Sequence, residues 1–317
     1  MDEFDLIQRF FAMQPLRRPD VSLGIGDDAA VLRVPDGQEL VASVDSLVAG
    51  VHFIETMDAE AVGHRALAVN LSDLAAMGAE PAWALLALSL PAADEGWLAG
   101  FARGFFALAG RYSVALVGGN TVRGPLSITV TVHGFVPRGM AITRAGARPG
   151  DHIYVTGESG AAAAGLRCWQ EQGMRDPDDV LLRRFLRPEP RVPAGLALRG
   201  IASAAIDVSD GFTADLGHIL VASGAGANVS LESLPLAAAA VERFGRETAL
   251  RMALSSGDDY ELCFTVPPQR LALFETRRRT LDCAATHIGE INATRKLRCV
   301  RQDGSDWAES AAGYKHF

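Results

Sequence analysis

AIDVSDGFTADLGHI, residues 205–219, decides how this chain is read. Ala204–Val208 is a short apolar run of strand character, and Phe212–Ser223 carries apolar residues at helical spacing. Between them stand Asp207, Ser209, Asp210 and Gly211. A strand entering a helix through a turn made of acids and glycine belongs to α/β or α+β architecture. Taken singly, Asp210 also fits a helix N-cap, a common place for aspartate.

The same combination recurs along the chain. GIGDDAAVL (24–32) sets Asp27 and Asp28 at the mouth of an apolar run. SVDS (43–46) places Asp45 at the end of a strand expected over Glu39–Val44. NLSDLAAMGA (70–79) places Asp73 inside a helical stretch, Ala61–Met77, closed by Gly78 and Pro81. SGDDYEL (256–262) puts Asp258 and Asp259 just before a strand expected over Tyr260–Val266. Asp73 also fits an N-cap, and Asp45 an ordinary turn acid.

Around these motifs the spacing predicts strands over Ala84–Leu90, Val114–Val117, Ser127–Val136 and Asp151–Thr156. It predicts helices over Glu95–Arg111, Ala161–Gln172 and Pro268–Arg279. RAGARPGD (144–151) is rich in Gly and Pro and marks a link. The expected division is a first domain over 1–145 and a second over 146–317, each α/β or α+β.

Composition narrows the function. The chain has 317 residues, 49% of them hydrophobic, and a formal net charge of -8. That balance supports a sizeable core and argues against a nucleic-acid surface. Cys168, Cys263, Cys283 and Cys299 lack the spacing of a metal site and read as buried thiols of a reducing compartment. The opening MDEFDLIQRFF lacks the basic region of a secretory leader, and the apolar run near Ala82–Ala93 is too short to span a bilayer. A cytoplasmic protein without a membrane partner is expected.

The acids stand at element ends with few basic neighbours. If they converge, each pair about 4 Å apart repels by about 4 kcal/mol at an effective dielectric near 20, so a bound cation is the natural compensation. Oxygen donors without His or Cys select Mg²⁺ or another hard cation, which commonly also holds phosphates. LVGGNTVRG (116–124) adds a strand running into Gly118 and Gly119, where backbone N–H groups can approach a phosphate. A plain hairpin turn fits that segment equally. Arg123 and Arg144 fit phosphate clamps or exposed surface arginines.

Together, GIGDDAAVL, SVDSLVAGVHF, LAVNLSDLAAMGAEPAW, GGNTVRG, TRAGARPGD, AIDVSDGFTADLGHI, LSSGDDYEL and the closing GYKHF resemble the thiamine-monophosphate kinase family, in order and over essentially the whole chain. The wider superfamily includes aminoimidazole ribonucleotide synthetase. The resemblance implies an α/β plus α+β two-domain fold, its N-terminal sheet pairing with a second subunit into a barrel-like homodimer core. It implies ATP and several Mg²⁺ ions, with in-line transfer of the γ-phosphoryl group to thiamine monophosphate and no side chain as general acid or base. By matching motif, Asp28, Ser43, Val44, Asp45, Asp73, Asn120, Asp207 and Asp210 are implied metal ligands. Gly118, Gly119, Asn120, Arg144 and Ser209 are implied ATP contacts, and His52, Asp258 and Tyr314 substrate contacts. The family usually has Asp where this chain has Asn120. Alternatives are a ligase or cyclase on the same scaffold and a nucleotide-binding regulator without catalysis.

Overall fold

The structure is a computed structural model that describes residues 3–12, 18–173 and 175–307. The chain folds as two compact units. The first is built from the residues up to Leu74 and from Ala79–Gly139, the second from Ala75–Gly78 and the residues from Met140 on. RAGARPGD, read as the link, therefore lies inside the second unit.

The first unit begins with a helix, Glu3–Ile7, continued by a π-helical turn, Gln8–Ala12, and then a short antiparallel pair, β1 (Val21–Leu23) and β2 (Val31–Leu32). Its main sheet contains β3 (Gln38–Val48), β4 (Glu80–Leu90), β5 (Ala115–Arg123) and β6 (Ser127–Pro137), in the order β3-β6-β4-β5. Three strands are longer than their sequence patterns suggest. β4 starts before Pro81, where the pairing with β6 is irregular, a position at which proline's missing N–H is tolerated. β3 runs on past Val44, so Asp45 sits within the strand and not in a turn. β5 runs straight through Gly118, Gly119 and Asn120, which excludes the hairpin-turn reading. A Cβ at Gly119 would come within 1.9 Å of the Leu86 carbonyl oxygen, so the close approach of β4 is what demands glycine there.

Helix Glu95–Arg111 and, up to Leu74, helix Ala59–Ala76 belong to this unit. They touch through glycines. A Cβ on Gly63 would stand 2.0 Å from the Phe101 carbonyl oxygen, and one on Gly104 1.8 Å from that of Glu60. Phe101 and Phe105 flank the crossing and are fully buried. Asp94 caps the second helix by accepting the Trp97 N–H.

The second unit holds β7 (His152–Thr156), β8 (Ala204–Asp207), β9 (Gly226–Ser230), β10 (Leu262–Val266), β11 (Ala285–Asn292) and β12 (Leu297–Val300). Their order is β12-β9-β11-β7-β10-β8, antiparallel except between β12 and β9. Helices Ala161–Gln172 and Phe212–Ser223 match their expected spans, each ended by a left-handed glycine, Gly173 and Gly224. The segment read as one helix over Pro268–Arg279 is a 3₁₀ turn, Pro268–Arg270, followed by helix Leu271–Arg278. Of the four cysteines, all free, Cys283 is half-buried and not buried as expected.

The close helix crossing yields a direct test. Gly104→Ala should destabilise the protein by about 1–3 kcal/mol through overpacking. Gly110→Ala on the same helix, with nothing within 4 Å, should be neutral or slightly stabilising. Urea denaturation of the two variants checks the difference; equal midpoints would contradict the backbone contact.

Candidate active site

In the first unit the predicted ligands gather where β3 meets helix Ala59–Ala76. Ser43 Oγ donates to Asp73 Oδ2 at 2.6 Å, and the Asp45 N–H donates to Asn70 Oδ1 at 2.9 Å. Asn70 is fully buried, and its amide nitrogen donates to the Ala66 carbonyl one turn back. Asp73 lies deep in the helix and is no N-cap. Asn70 escaped the sequence reading, although its place three residues before Asp73 puts both on neighbouring turns.

The remaining predicted residues of this unit are more dispersed. Asp28 is exposed between β1 and β2, its N–H donating to Asp27 Oδ1. The His52 Nδ1 accepts the Val48 N–H at 3.0 Å, which ties the ring to the turn after β3. Val44 faces outward and is 56% exposed. Asn120 pairs in register with Ala87, Ala87 with Thr129, and Thr129 with Ser46. It therefore shares a face with Ser46, whose hydroxyl meets that of Thr129, while Asp45 points to the other face. Three strand spacings separate Asn120 from β3, about 14 Å, so within one chain it cannot share an ion with Asp45.

In the second unit two acidic motifs are laced together. The Asp258 N–H donates to the Ser209 carbonyl, the Tyr260 N–H to the Val208 carbonyl, and the Val208 N–H to the Glu261 carbonyl. A Cβ on Gly257 would lie 2.1 Å from the Ser209 carbonyl oxygen. Asp258 and Tyr260 both hold positive φ, 67° and 51°, a costly conformation for residues with side chains. Asp207, at the end of β8, is 5% exposed; Ser209 and Asp210 are half-buried.

Three further carboxylates, unassigned from sequence, hold this region in shape. Asp215 Oδ2 accepts the N–H groups of Ser209, Asp210 and Gly211 at 3.0, 3.0 and 3.2 Å. Burial pushes its carboxyl up to about 6, with the charge of Asp210 adding to the rise and the three N–H donors opposing it. Asp210 is accordingly no N-cap; its own N–H is held by Asp215. Asp259 accepts the N–H groups of Gly160 and Ala162 at the start of helix Ala161–Gln172, and burial raises it to about 7. Glu261 is wholly buried and takes bonds from Arg184, Arg191 and Thr156. The local signal for Asp215 was its position on the first helical turn after an SDG turn, where it can reach back to free N–H groups.

Arg144 is exposed, and its carbonyl accepts the Ser223 hydroxyl. Tyr314 lies outside the described residues. No helix among those described is long and apolar enough to cross a membrane.

The structure thus presents two oxygen-rich clusters, one on β3 and its helix and one at the end of β8, each braced by buried polar side chains. Residues 26–136 match the N-terminal domain of AIR synthase related protein, and residues 148–302 match its C-terminal domain. Thiamine-monophosphate kinase of Escherichia coli (strain K12) is 49% identical over 318 residues, covering 99% of this chain and 98% of that protein. A crystal structure of thiamine-monophosphate kinase from Stenotrophomonas maltophilia K279a has a TM-score of 0.88 at 46% identity, over 97% of this chain and 98% of that one. A structure described as AaThiL complexed with AMPPCP and TMP has a TM-score of 0.78 at 32% identity, over 92% of each chain. With family models over both units and such identity along its whole length, the chain belongs to the thiamine-monophosphate kinase family of AIR synthase related proteins.

Proposed function

We propose that the chain transfers the γ-phosphoryl group of ATP to the phosphate of thiamine monophosphate, giving thiamine diphosphate and ADP. The near full-length likeness to kinases of that name carries this reading, and the relative complexed with AMPPCP and TMP supports both substrates. The substrates and the four thiols fit a reducing, cytoplasmic setting.

The acceptor explains the composition of the site. A phosphate monoester carries about −1.5 to −2 charges at neutral pH, so its oxygen attacks without first losing a proton to a side chain. The barrier is the approach of one anion to another. Asp28, Ser43, the Val44 carbonyl, Asp45 and Asp73 in the first unit, and Asp207 and Asp210 in the second, form donor sets of oxygen alone, which suit a hard divalent cation. Mg²⁺ held by them would neutralise phosphate oxygens during transfer.

The chain's own residues do the positioning. Asn70 fixes the backbone at Asp45, Ser43 orients the Asp73 carboxylate, and Asp215 holds the loop that carries Ser209 and Asp210. The 118–120 segment, Arg144 and Ser209 are assigned to ATP. His52, Asp258 and Tyr314 are assigned to thiamine monophosphate, whose cationic ring suits a carboxylate and an aromatic face.

A homodimer is part of this reading. Among the described residues β3 is an edge strand of its sheet, and Leu40, Val44, Val48 and Val122 stand exposed on the sheet strands. Pairing with a second copy would close the edge and cover the apolar face. It also offers a way for Asn120, remote from Asp45 in its own chain, to reach a metal shell.

Four expected outcomes test the proposal. Wild-type protein with thiamine monophosphate and MgATP should form thiamine diphosphate and ADP in equal amounts. Asp45→Ala or Asp210→Ala should lower that rate by at least a hundredfold, while the thermal midpoint without Mg²⁺ holds or rises because charge repulsion is relieved. Near-normal turnover in either variant would remove that acid from the site.

Sedimentation should give a dimer at micromolar concentration, and a stable, active monomer would defeat the assembly. A Mg²⁺ titration of initial rate should saturate at higher concentration for the wild type than for Asn120→Asp, since a neutral amide attracts the ion less than a carboxylate. Identical midpoints would place this side chain outside the metal shell.

A further inference from the structure

β7 and β11 carry a second group of candidate ligands, remote in sequence from every motif used above. His152 opens β7 and pairs in register with Glu290 on β11. Residues three apart on a regular strand face opposite sides. Here the ladder shifts between His287 and Gly289, so His287 pairs with Tyr154 and returns to the face of His152 and Glu290. The irregularity brings three ligand-type side chains to one place. One ligand atom from each lies within 4.8 Å of the others.

The two imidazoles already stand at coordination distance. His152 Nδ1 and His287 Nε2 are 3.2 Å apart. Two nitrogens bound to one zinc ion at about 2.0–2.1 Å, with a tetrahedral angle between them, lie about 3.3 Å apart. We propose that His152, His287 and Glu290 form a site for a borderline divalent cation of the Zn²⁺, Ni²⁺ or Co²⁺ type, distinct from the oxygen-only sets assigned to Mg²⁺.

The donor chemistry selects against Mg²⁺, which prefers oxygen, and for ions that accept imidazole. With three protein ligands, the remaining positions are left to water or a small anion. Burial and the neighbouring His152 hold the His287 imidazole below its usual range, which keeps it neutral and able to ligate near neutral pH. The positive charge of Arg278 also acts on His287, and Arg278 is ion-paired with Glu275 on the same helix at 3.1 Å. Glu290 is exposed, so its charge is available to the ion without prior desolvation.

The test is calorimetric titration of the full-length protein with Zn²⁺ in saturating Mg²⁺, which occupies the oxygen-only sets. Wild-type protein should show one Zn²⁺ equivalent whose affinity falls at least tenfold in His152→Ala and again in His287→Ala, with a smaller loss in Glu290→Gln. Zn²⁺ should raise the thermal midpoint of the wild type and not of the histidine variants. Kinase turnover in Mg²⁺ alone should be unchanged in all three. An isotherm unaltered by both histidine substitutions, or absence of the Zn²⁺ equivalent in the wild type, overturns the site. Loss of binding in one histidine variant whose zinc-free midpoint has collapsed is decided by the other.

Discussion

A buried charge must be matched where it lies, and the second unit is organised around one such requirement. Glu261 is fully buried and receives two guanidinium groups, Arg184 at 2.5 Å and Arg191 at 2.5 and 2.6 Å, plus the Thr156 hydroxyl at 2.7 Å. Burial opposes the charge on Arg191, yet the bond to Glu261 leaves its pKa above the ordinary value. Removing one partner of such a cluster strands an uncompensated charge, which is commonly worth about 3–5 kcal/mol. The cluster joins β7, the segment leading into β10 and two helices, Val180–Leu186 and Val192–Leu198. Its backbone holds Val208, so the strand-to-helix joint with Asp207, Ser209 and Asp210 is set by a carboxylate that never meets solvent.

The same logic runs through the neighbouring acids. SGDDYEL looks in sequence like a cluster of ligands, yet its members divide the labour. Asp258 is the one proposed to meet substrate, Asp259 holds the start of a helix, and Glu261 anchors arginines. Positive φ at both Asp258 and Tyr260 costs free energy, and such strain persists only where surrounding bonds impose it. Those bonds are the three backbone links that tie residues 258, 260 and 261 to residues 208 and 209.

What could be read from sequence was the local part. Helices Glu95–Arg111, Ala161–Gln172 and Phe212–Ser223 were legible because caps and terminating glycines lie within the helix or beside it. The acids of the candidate site were legible because each stands in a short motif of small residues. Long-range pairing was not legible. Nothing near Gly118 announces that β5 continues to Arg123, because the reason is the Leu86 carbonyl on another strand. Strands β9 and β12 and the ladder shift in β11 depend on partners far along the chain, as does the meeting of His152 with His287. Asn120 could be matched to a motif, but the sheet face it occupies follows only from three registers taken together.

β3 carries Ser43 and Asp45, with Val41 and Leu47, on the side turned toward a helix, and Leu40, Val44 and Val48 on the side turned outward. A slip of one residue would exchange the two sets, turning Val44 toward the helix and drawing Asp45, Ser43 and the buried Leu47 away from it, while apolar side chains would remain on both faces. The amide of Asn70, gripping the main chain at Asp45, and the hydroxyl of Ser43, bonded to Asp73, oppose it. With apolar residues on both faces of the strand, two side-chain hydrogen bonds act as the pins that keep the ladder in phase.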